Sequence, residues 1–144
     1  MKRNIFKKEY IAIIEGILEN KIGTISVPIK RKNDSIIERE VSFDKDSDIA
    51  ITHYEILKEL SAKLSVIKVI LETGRTHQIR VHFSYIGHSI IADTLYGKES
   101  SYMERQALHA YKVTFFHPIT KNKMNIVCKL PNDMENIITK FNIF

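Results

Sequence analysis

Two neighbouring stretches of alternating residues constrain the fold of this chain most strongly. From Ile49 to Leu57 and again from Leu64 to Leu71, β-branched and aromatic residues alternate with polar ones, a pattern typical of half-buried strands. Only the short segment from Lys58 to Lys63 separates them. Because a tight connection joins antiparallel strands, whereas parallel strands need a long crossover, the sequence predicts an antiparallel hairpin here.

The remaining patterns place strands and helices on both sides of this hairpin. Tyr10 to Gly16 reads as a buried strand closed by a glycine, and residues 106–116 and 124–130 read as two further strands. Residues 75–86 have helical spacing before Gly87, and a last helix is expected to be capped by Asn132 or Asp133. Its buried face is predicted to carry Met134, Ile137, Ile138 and Phe141. These elements predict an α+β fold, a mainly antiparallel mixed sheet with flanking helices.

Length and composition favour a single domain spanning residues 1–144. The chain is 44% hydrophobic and 27% charged, which does not fit a disordered or coiled-coil protein. It has neither a long apolar span nor the apolar run of a secretion signal near Met1, so we expect a cytoplasmic protein without a membrane partner. The single cysteine, Cys128, rules out an intrachain disulfide and is expected to be a buried thiol. A net charge of +5 favours a polyanionic partner.

The densest polar cluster runs from Gly74 to His82, at a predicted strand-to-helix junction. A helix over 75–86 would bury Ile79, Phe83 and Ile86 and present His77, Arg80 and Ser84 on its opposite side. Backbone N–H groups at such a junction favour an anion, and the arginine fork matches a phosphate or a carboxylate. The alternative is structural: Arg75 and Arg80 would then be solvated helix charges, and His77 and His82 would cap the helix or pack against it.

Three other kinds of site do not fit the spacing of residues in this cluster. His77 and His82 stand five residues apart, which is not the helical spacing of a zinc pair, so we expect no metal. The spaced glycines and Lys-Ser/Thr of a phosphate-binding loop are missing from the sequence. No nucleophile-elbow motif surrounds a serine, and nothing in the sequence indicates an activated Cys128 thiolate.

Short motifs along the chain also come in a characteristic order. They are Lys8 to Ala12 with Glu15-Gly16, Ala50 to Tyr54, Thr73 to His82, Gly87-His88, Asp93 with Tyr96-Gly97, Arg105 to Ala110, and His117-Pro118. This ordered set, which spans about Lys8 to Pro131, resembles the RNA pseudouridine synthases of the RluA/RluD type. One departure is Ala92, which stands where that family usually has glycine.

The resemblance implies a reaction and a set of site residues. These enzymes cut the bond from ribose to N1 of uracil, turn the base and rejoin it through C5, with no cofactor or metal. Tyr10 matches the tyrosine that stacks on the target base, Arg80 the arginine that pairs with the catalytic aspartate, and Leu108 the apolar residue beneath the base. Because the uridine must leave its stack, an aromatic or apolar slot and flanking cations are required. The candidate RNA-binding residues are Arg75, Thr76, His77, Gln78, His82 and Arg105. The expected partner is structured RNA, with ribosomal RNA as the substrate class.

One part of the family pattern is missing from these residues. The family's catalytic aspartate lies in a stretch like Arg-Leu-Asp-x-x-Thr-Ser-Gly, ahead of the position of Tyr10, and the 144 residues contain no such stretch. We therefore expect an N-terminally truncated catalytic domain with an incomplete fold, inactive alone, whose Arg80 points into an open cleft without a partner. Two alternatives remain open: a non-catalytic RNA-binding module derived from the family, and a small phosphoester-binding enzyme that uses Arg75 and Arg80.

Overall fold

The fold is built around one six-stranded sheet and a separate two-stranded hairpin. The computed structural model describes residues 7–142, in which the elements follow one another as β1 (Lys7–Glu15), β2 (Ile22–Ser26), β3 (Ile29–Arg31), β4 (Arg39–Val41), β5 (Ile51–Leu60), β6 (Leu64–Leu71), α1 (Gln78–Tyr85), β7 (Leu108–Phe116), β8 (Lys123–Val127) and α2 (Asn132–Lys140). The large sheet has the order β2-β5-β6-β1-β7-β8, and β3 pairs with β4. Every pairing between these strands is antiparallel. The predicted α+β class and the β5–β6 hairpin are confirmed.

Strand β1 occupies the middle of the sheet although it comes first along the chain. Ala12 pairs with Ile67 of β6 on one side and with Leu108 of β7 on the other. The four consecutive residues Ile11 to Ile14 are all buried. Since successive side chains of a strand point to opposite faces, both faces of the sheet are covered at this strand. The apolar run read from the sequence is the centre of the core.

Both helices contribute side chains to the same core as the sheet. Phe83 of α1 and Met134 of α2 are fully buried in it. A smaller cluster, Ile29, Ala50 and Val81, holds the β3–β4 hairpin against α1. Neither helix within residues 7–142 is long and apolar enough to cross a membrane.

The structure corrects three details of the sequence prediction. Helix α1 begins at Gln78 rather than at residue 75, because His77 adopts a left-handed conformation with φ 57°. Arg75 and Thr76 therefore belong to a loop. The residue that caps α2 is Pro131, with Asn132 and Asp133 inside the first turn. Cys128 is exposed rather than buried.

Candidate active site

A cavity of about 400 Å³ opens where the ends of β6, β1 and β7 meet the start of α1. Its walls are formed by Tyr10, Leu71, Arg75, His77, Gln78, Ile79, Arg80, Gln106 and Leu108. The three residues that the sequence assigns to catalysis, Tyr10, Arg80 and Leu108, are all among them. The fold thus brings together residues from the two ends of the sequence match.

The sheet register explains why Tyr10 and Leu108 meet. Tyr10 lies between Val69 of β6 and Ala110 of β7, and Leu108 precedes Ala110 by two residues. Residues two apart on a strand share a face, so Leu108 is the diagonal neighbour of Tyr10. The β1–β7 register shifts between Glu9 and Tyr10. The extra residue is Tyr111 of β7, which stands between the partners of Glu9 and Tyr10.

Arg80 has a partner inside the chain, so the expectation of an unpartnered arginine is wrong. Its Nε donates to Asp93 Oδ2 at 2.8 Å and its Nη2 donates to Asp93 Oδ1 at 2.9 Å. The Asp93 side chain is 1% exposed and the Arg80 side chain 14%. The guanidinium is also stacked over the Tyr96 ring, 5.1 Å from the ring centroid. Arg80 is therefore held rigidly in the cavity wall instead of reaching into solvent.

The carboxylate of Asp93 is kept ionised despite its burial. Burial raises the pKa of Asp93, but the hydrogen bonds from Arg80 and from the backbone N–H groups of Tyr96 and Leu95, together with the charge of Arg80, outweigh this and lower the pKa below its usual value. The two backbone groups donate to Oδ1 at 3.1 and 3.2 Å. The ion pair is thus the stable form at neutral pH. Asp93 positions the arginine, and it does not line the cavity itself.

His77 and Arg75 reach the cavity from the loop ahead of α1. His77 Nδ1 lies 2.7 Å from the Tyr96 hydroxyl. Burial lowers the pKa of His77, and the charges of Arg80 and Arg39 lower it further. The hydrogen bond therefore joins a neutral imidazole ring to the Tyr96 hydroxyl. The exposed Arg75 donates from Nε to the Ile49 carbonyl at 2.8 Å, and Thr76 lies in the same loop but outside this cavity.

Two of the predicted RNA-binding residues, Gln78 and His82, are buried, and whether they contact RNA stays a prediction. His82 has no exposed surface and Gln78 is 2% exposed. They form one chain of hydrogen bonds: Gln78 Nε2 donates to Thr52 Oγ1 at 2.9 Å, Thr52 Oγ1 lies 2.8 Å from His82 Nδ1, and His82 Nε2 lies 2.9 Å from the Val27 carbonyl. Burial lowers the pKa of His82, which keeps the ring neutral and completes this chain.

The remaining predicted RNA-binding residue, Arg105, forms an ion pair elsewhere on the surface. Its Nε and Nη2 donate to the two carboxylate oxygens of Asp133, both at 3.0 Å. Its Nη1 donates to the carbonyls of Gln106 and Leu108 at 3.2 and 3.3 Å. Arg105 thus fastens the start of β7 to α2, and whether it also contacts RNA stays a prediction.

Comparison with known sequences shows which family the chain belongs to. The sequence model of RNA pseudouridylate synthases matches residues 1–85, which include Tyr10 and Arg80. The chain belongs to the RNA pseudouridylate synthase family. Over 137 residues it is 42% identical to the uncharacterized RNA pseudouridine synthase YjbO of Bacillus subtilis, covering 95% of this chain and 47% of that one. It is 35% identical to the ribosomal large subunit pseudouridine synthase D of Zymomonas mobilis, covering 89% and 43%. The chain thus spans about half the length of the curated relatives it matches.

Solved structures show the same fold. The human RNA pseudouridylate synthase domain containing 1 superposes with a TM-score of 0.75 at 22% identity, over 94% of this chain and 65% of that one. A second human protein, RNA pseudouridylate synthase domain containing 4, gives a TM-score of 0.72 at 20% identity, over 94% and 62%. The family resemblance read from the short motifs is confirmed.

Two residues of the site were not assigned to it from the sequence, Asp93 and Tyr96. A signal for them existed, because Asp93 with Tyr96-Gly97 is one of the ordered family motifs, and an aspartate that accepts backbone N–H groups two and three residues on is a common turn. The turn can be read locally. Its contact with Arg80, on another element, cannot.

The backbone conformation of Ala92 explains why a glycine suits this position. Ala92 adopts φ 63°, in the left-handed region where a glycine is unstrained and a β-carbon costs roughly 1–2 kcal/mol. This conformation comes directly before Asp93, whose carboxylate pairs with Arg80. The family's usual glycine thus matches the geometry, and the alanine keeps that geometry at some cost.

Proposed function

We propose that this chain forms the base-binding wall of an RNA pseudouridine synthase site and takes part in the isomerisation of uridine in structured RNA, with ribosomal RNA as the substrate class. The observation that carries the proposal is the convergence of Tyr10, Arg80 and Leu108 on one cavity. The names of the relatives support the reaction, and one of them is a ribosomal large subunit enzyme.

The walls of the cavity suit a uracil taken out of its stack. The Tyr10 ring and the Leu108 side chain, diagonal neighbours on one sheet face, offer an aromatic and an apolar surface to the base. Gln106 and His77 add polar groups at the rim. Stacking and edge contacts of this kind offset the cost of unpairing the nucleotide.

In our proposal Arg80 binds two carboxylates. Asp93 occupies the Nε and Nη2 atoms, and no residue between 7 and 142 accepts a hydrogen bond from Nη1. The guanidinium offers a further edge on which a second carboxylate can be held ionised. In our proposal this is the family's aspartate from an Arg-Leu-Asp stretch, which the 144 residues do not contain.

The chemistry in that arrangement is an isomerisation. The bond from the ribose C1′ to N1 of uracil breaks, the base turns within the cavity and a bond from C1′ to C5 forms. C5 gives up its proton to solvent, and N1 takes up a proton from solvent. Arg80 keeps the second carboxylate charged, Asp93 keeps Arg80 in place, and Tyr10 and Leu108 retain the base while it turns.

Release of tritium from RNA that carries 5-tritiated uridine tests the proposal. A chimera that joins the segment of YjbO preceding the matched region to this chain is expected to release tritium in proportion to the sites modified. The Arg80→Lys chimera should lose this activity, since lysine cannot bind two carboxylates through a planar fork.

The remaining outcomes separate the alternatives. The 144 residues alone are expected to bind RNA without releasing tritium. A folded chimera that binds RNA yet releases none would favour a non-catalytic RNA-binding module. Release by the chain alone would show that the carboxylate from outside is not needed.

A further inference from the structure

A second cavity, of about 380 Å³, lies between the β3–β4 hairpin and the loop ahead of α1. Its lining residues are Ile29, Lys30, Arg31, Arg39, Asp48, Gly74, Arg75 and Thr76, and we call it the hairpin pocket. Four cations face one carboxylate in this lining. Arg75 also lines the Tyr10–Leu108 cavity, so the two cavities meet at this residue.

The three arginines of the hairpin pocket are not neutralised by carboxylates. Within residues 7–142 none of them forms an ion pair, and their side chains donate only to backbone carbonyls: Arg31 to Ser35 at 3.4 Å, Arg39 to Ile36 at 3.2 Å, and Arg75 to Ile49 at 2.8 Å. Lys30 differs, because its Nζ is held by Asp44 at 2.7 Å. Three guanidinium groups therefore keep their charge available at one cavity.

The register of the β3–β4 hairpin is a second, independent observation that favours anion binding in the hairpin pocket. Arg31 and Arg39 stand directly opposite each other in the β3–β4 ladder. Side chains in opposite positions project from the same face, and like charges in such a pair are destabilising. The fold thus holds two like charges next to each other, and a bound anion would reduce the repulsion between them. The guanidinium fork fits a phosphate through two parallel hydrogen bonds.

Tyr96 holds the hairpin pocket in a fixed position relative to the first cavity. The backbone N–H of Arg39 donates to the Tyr96 hydroxyl at 2.8 Å, and that hydroxyl is bonded to His77 Nδ1 at 2.7 Å. One side chain therefore joins the hairpin to the start of α1. Tyr96 thus links the walls of the two cavities, which share Arg75.

We infer that the hairpin pocket binds a backbone phosphate of the RNA strand that enters or leaves the Tyr10–Leu108 cavity. This inference rests on the proposed function, since it takes RNA as the ligand. Arg31 and Arg39 hold the phosphate, and Arg75 contacts the strand between the two cavities.

Binding of a synthetic RNA stem-loop with uridines in its loop, measured across a salt series, tests the assignment. The Arg31→Gln/Arg39→Gln variant is expected to bind about tenfold more weakly, because it loses charge-assisted hydrogen bonds. The slope of log affinity against log salt should become shallower by about 0.7 to 0.9, the values for one phosphate on a single strand and on a duplex. The Arg31→Lys/Arg39→Lys variant should keep the slope of the wild type.

A matched control removes the same charge elsewhere. Lys123 and Lys129 are exposed, at or just beyond the edge strand β8. The Lys123→Gln/Lys129→Gln variant should bind RNA as the wild type does. Unchanged affinity and slope in the arginine variant, or an equal loss in the lysine control, would overturn the inference.

Two more measurements separate the remaining outcomes. The Arg31→Gln/Arg39→Gln variant should melt no lower than the wild type, because it removes the cross-strand repulsion, and this shows that the loss of binding is not unfolding. Free uridine 5′-monophosphate should not displace the RNA; displacement at concentrations comparable to those of the RNA would make the pocket a nucleotide site instead. If the hairpin variant loses affinity while the chimera releases no tritium, the pocket assignment stands and the proposed catalysis fails. A wild type that does not bind RNA refutes both.

Discussion

Replacing Arg80 with methionine removes the guanidinium from a buried ion pair and leaves its partner charged. Asp93 would lose the two bonds of 2.8 and 2.9 Å and keep only the backbone donors of Leu95 and Tyr96, both on Oδ1. The Oδ2 atom of Asp93 would then be buried without the hydrogen bond that Arg80 Nε donates to it. Methionine fills much of the space of the arginine stem, so the change isolates the charge.

The expected loss of stability follows from the burial of the pair. Removing one member of a buried ion pair costs about 3–5 kcal/mol because the other charge is stranded. The 14% exposure of the Arg80 side chain and the remaining backbone bonds of Asp93 favour the lower end of that range, about 3 kcal/mol. For a chain of this length such a loss lowers the melting temperature by roughly 10 °C.

The pH dependence of that loss identifies the stranded carboxylate as its cause. In the wild type the pKa of Asp93 is lowered, so the pair contributes stability above the pKa of the unfolded state, and this contribution is lost as the pH falls through the folded pKa. Without Arg80, burial is the dominant effect and the pKa of Asp93 rises. The difference in the free energy of unfolding between the wild type and the variant should therefore shrink as the pH falls from about 7 to about 4, because the stranded carboxylate becomes protonated.

Thermal and urea denaturation at both pH values measure the effect. Arg80→Met/Asp93→Asn should recover a large part of the loss, because the asparagine carries no charge and its oxygen still accepts from the backbone. The matched control is Arg105→Met, which breaks the exposed pair with Asp133 and should cost less than about 1 kcal/mol. A melting temperature for Arg80→Met within about 2 °C of the wild type, or the same deficit at both pH values, would refute the reasoning.

Two further predictions test the backbone and the buried histidine. Gly16→Ala should destabilise the chain by more than about 1 kcal/mol, since φ is +84° and the new β-carbon would lie 2.7 Å from His88 Nδ1. At Gly74 a new β-carbon meets nothing within 4 Å and φ is not positive, so Gly74→Ala should leave the melting temperature unchanged. The variant should still weaken RNA binding, because Gly74 lines the hairpin pocket. Equal losses of stability in the Gly16 and Gly74 variants would contradict this. The free energy of unfolding should fall between about pH 7 and pH 5, since burial lowers the pKa of His82 and the unfolded chain takes up the proton first. His82→Gln should flatten that decline in urea titrations, and an unchanged slope would show that His82 does not cause it.

The sequence by itself indicated the β5–β6 hairpin, the central strand β1, both helices and the family. Alternation of side chains specifies a strand, helical spacing specifies a helix, and a tight turn between two alternating stretches specifies an antiparallel hairpin, all from interactions between residues close in the chain. The order of the motifs identified the family and put Tyr10, Arg80 and Leu108 forward as site residues, and the structure gathers these at one cavity. Local patterns of this kind survive in a linear sequence because they do not depend on what packs against them.

Partners and burial were decided only by the tertiary structure. His82 and Arg80 are both polar residues of one motif, yet one is enclosed between β5 and the segment at Val27 and the other reaches the cavity wall. Residue type cannot distinguish these outcomes, because a side chain's neighbours come from distant parts of the chain. The same holds for Asp93, whose turn is local but whose partner Arg80 is brought to it by the packing of α1. A charge is stable in the interior only when its partner is brought to it, and the partner is set by the fold.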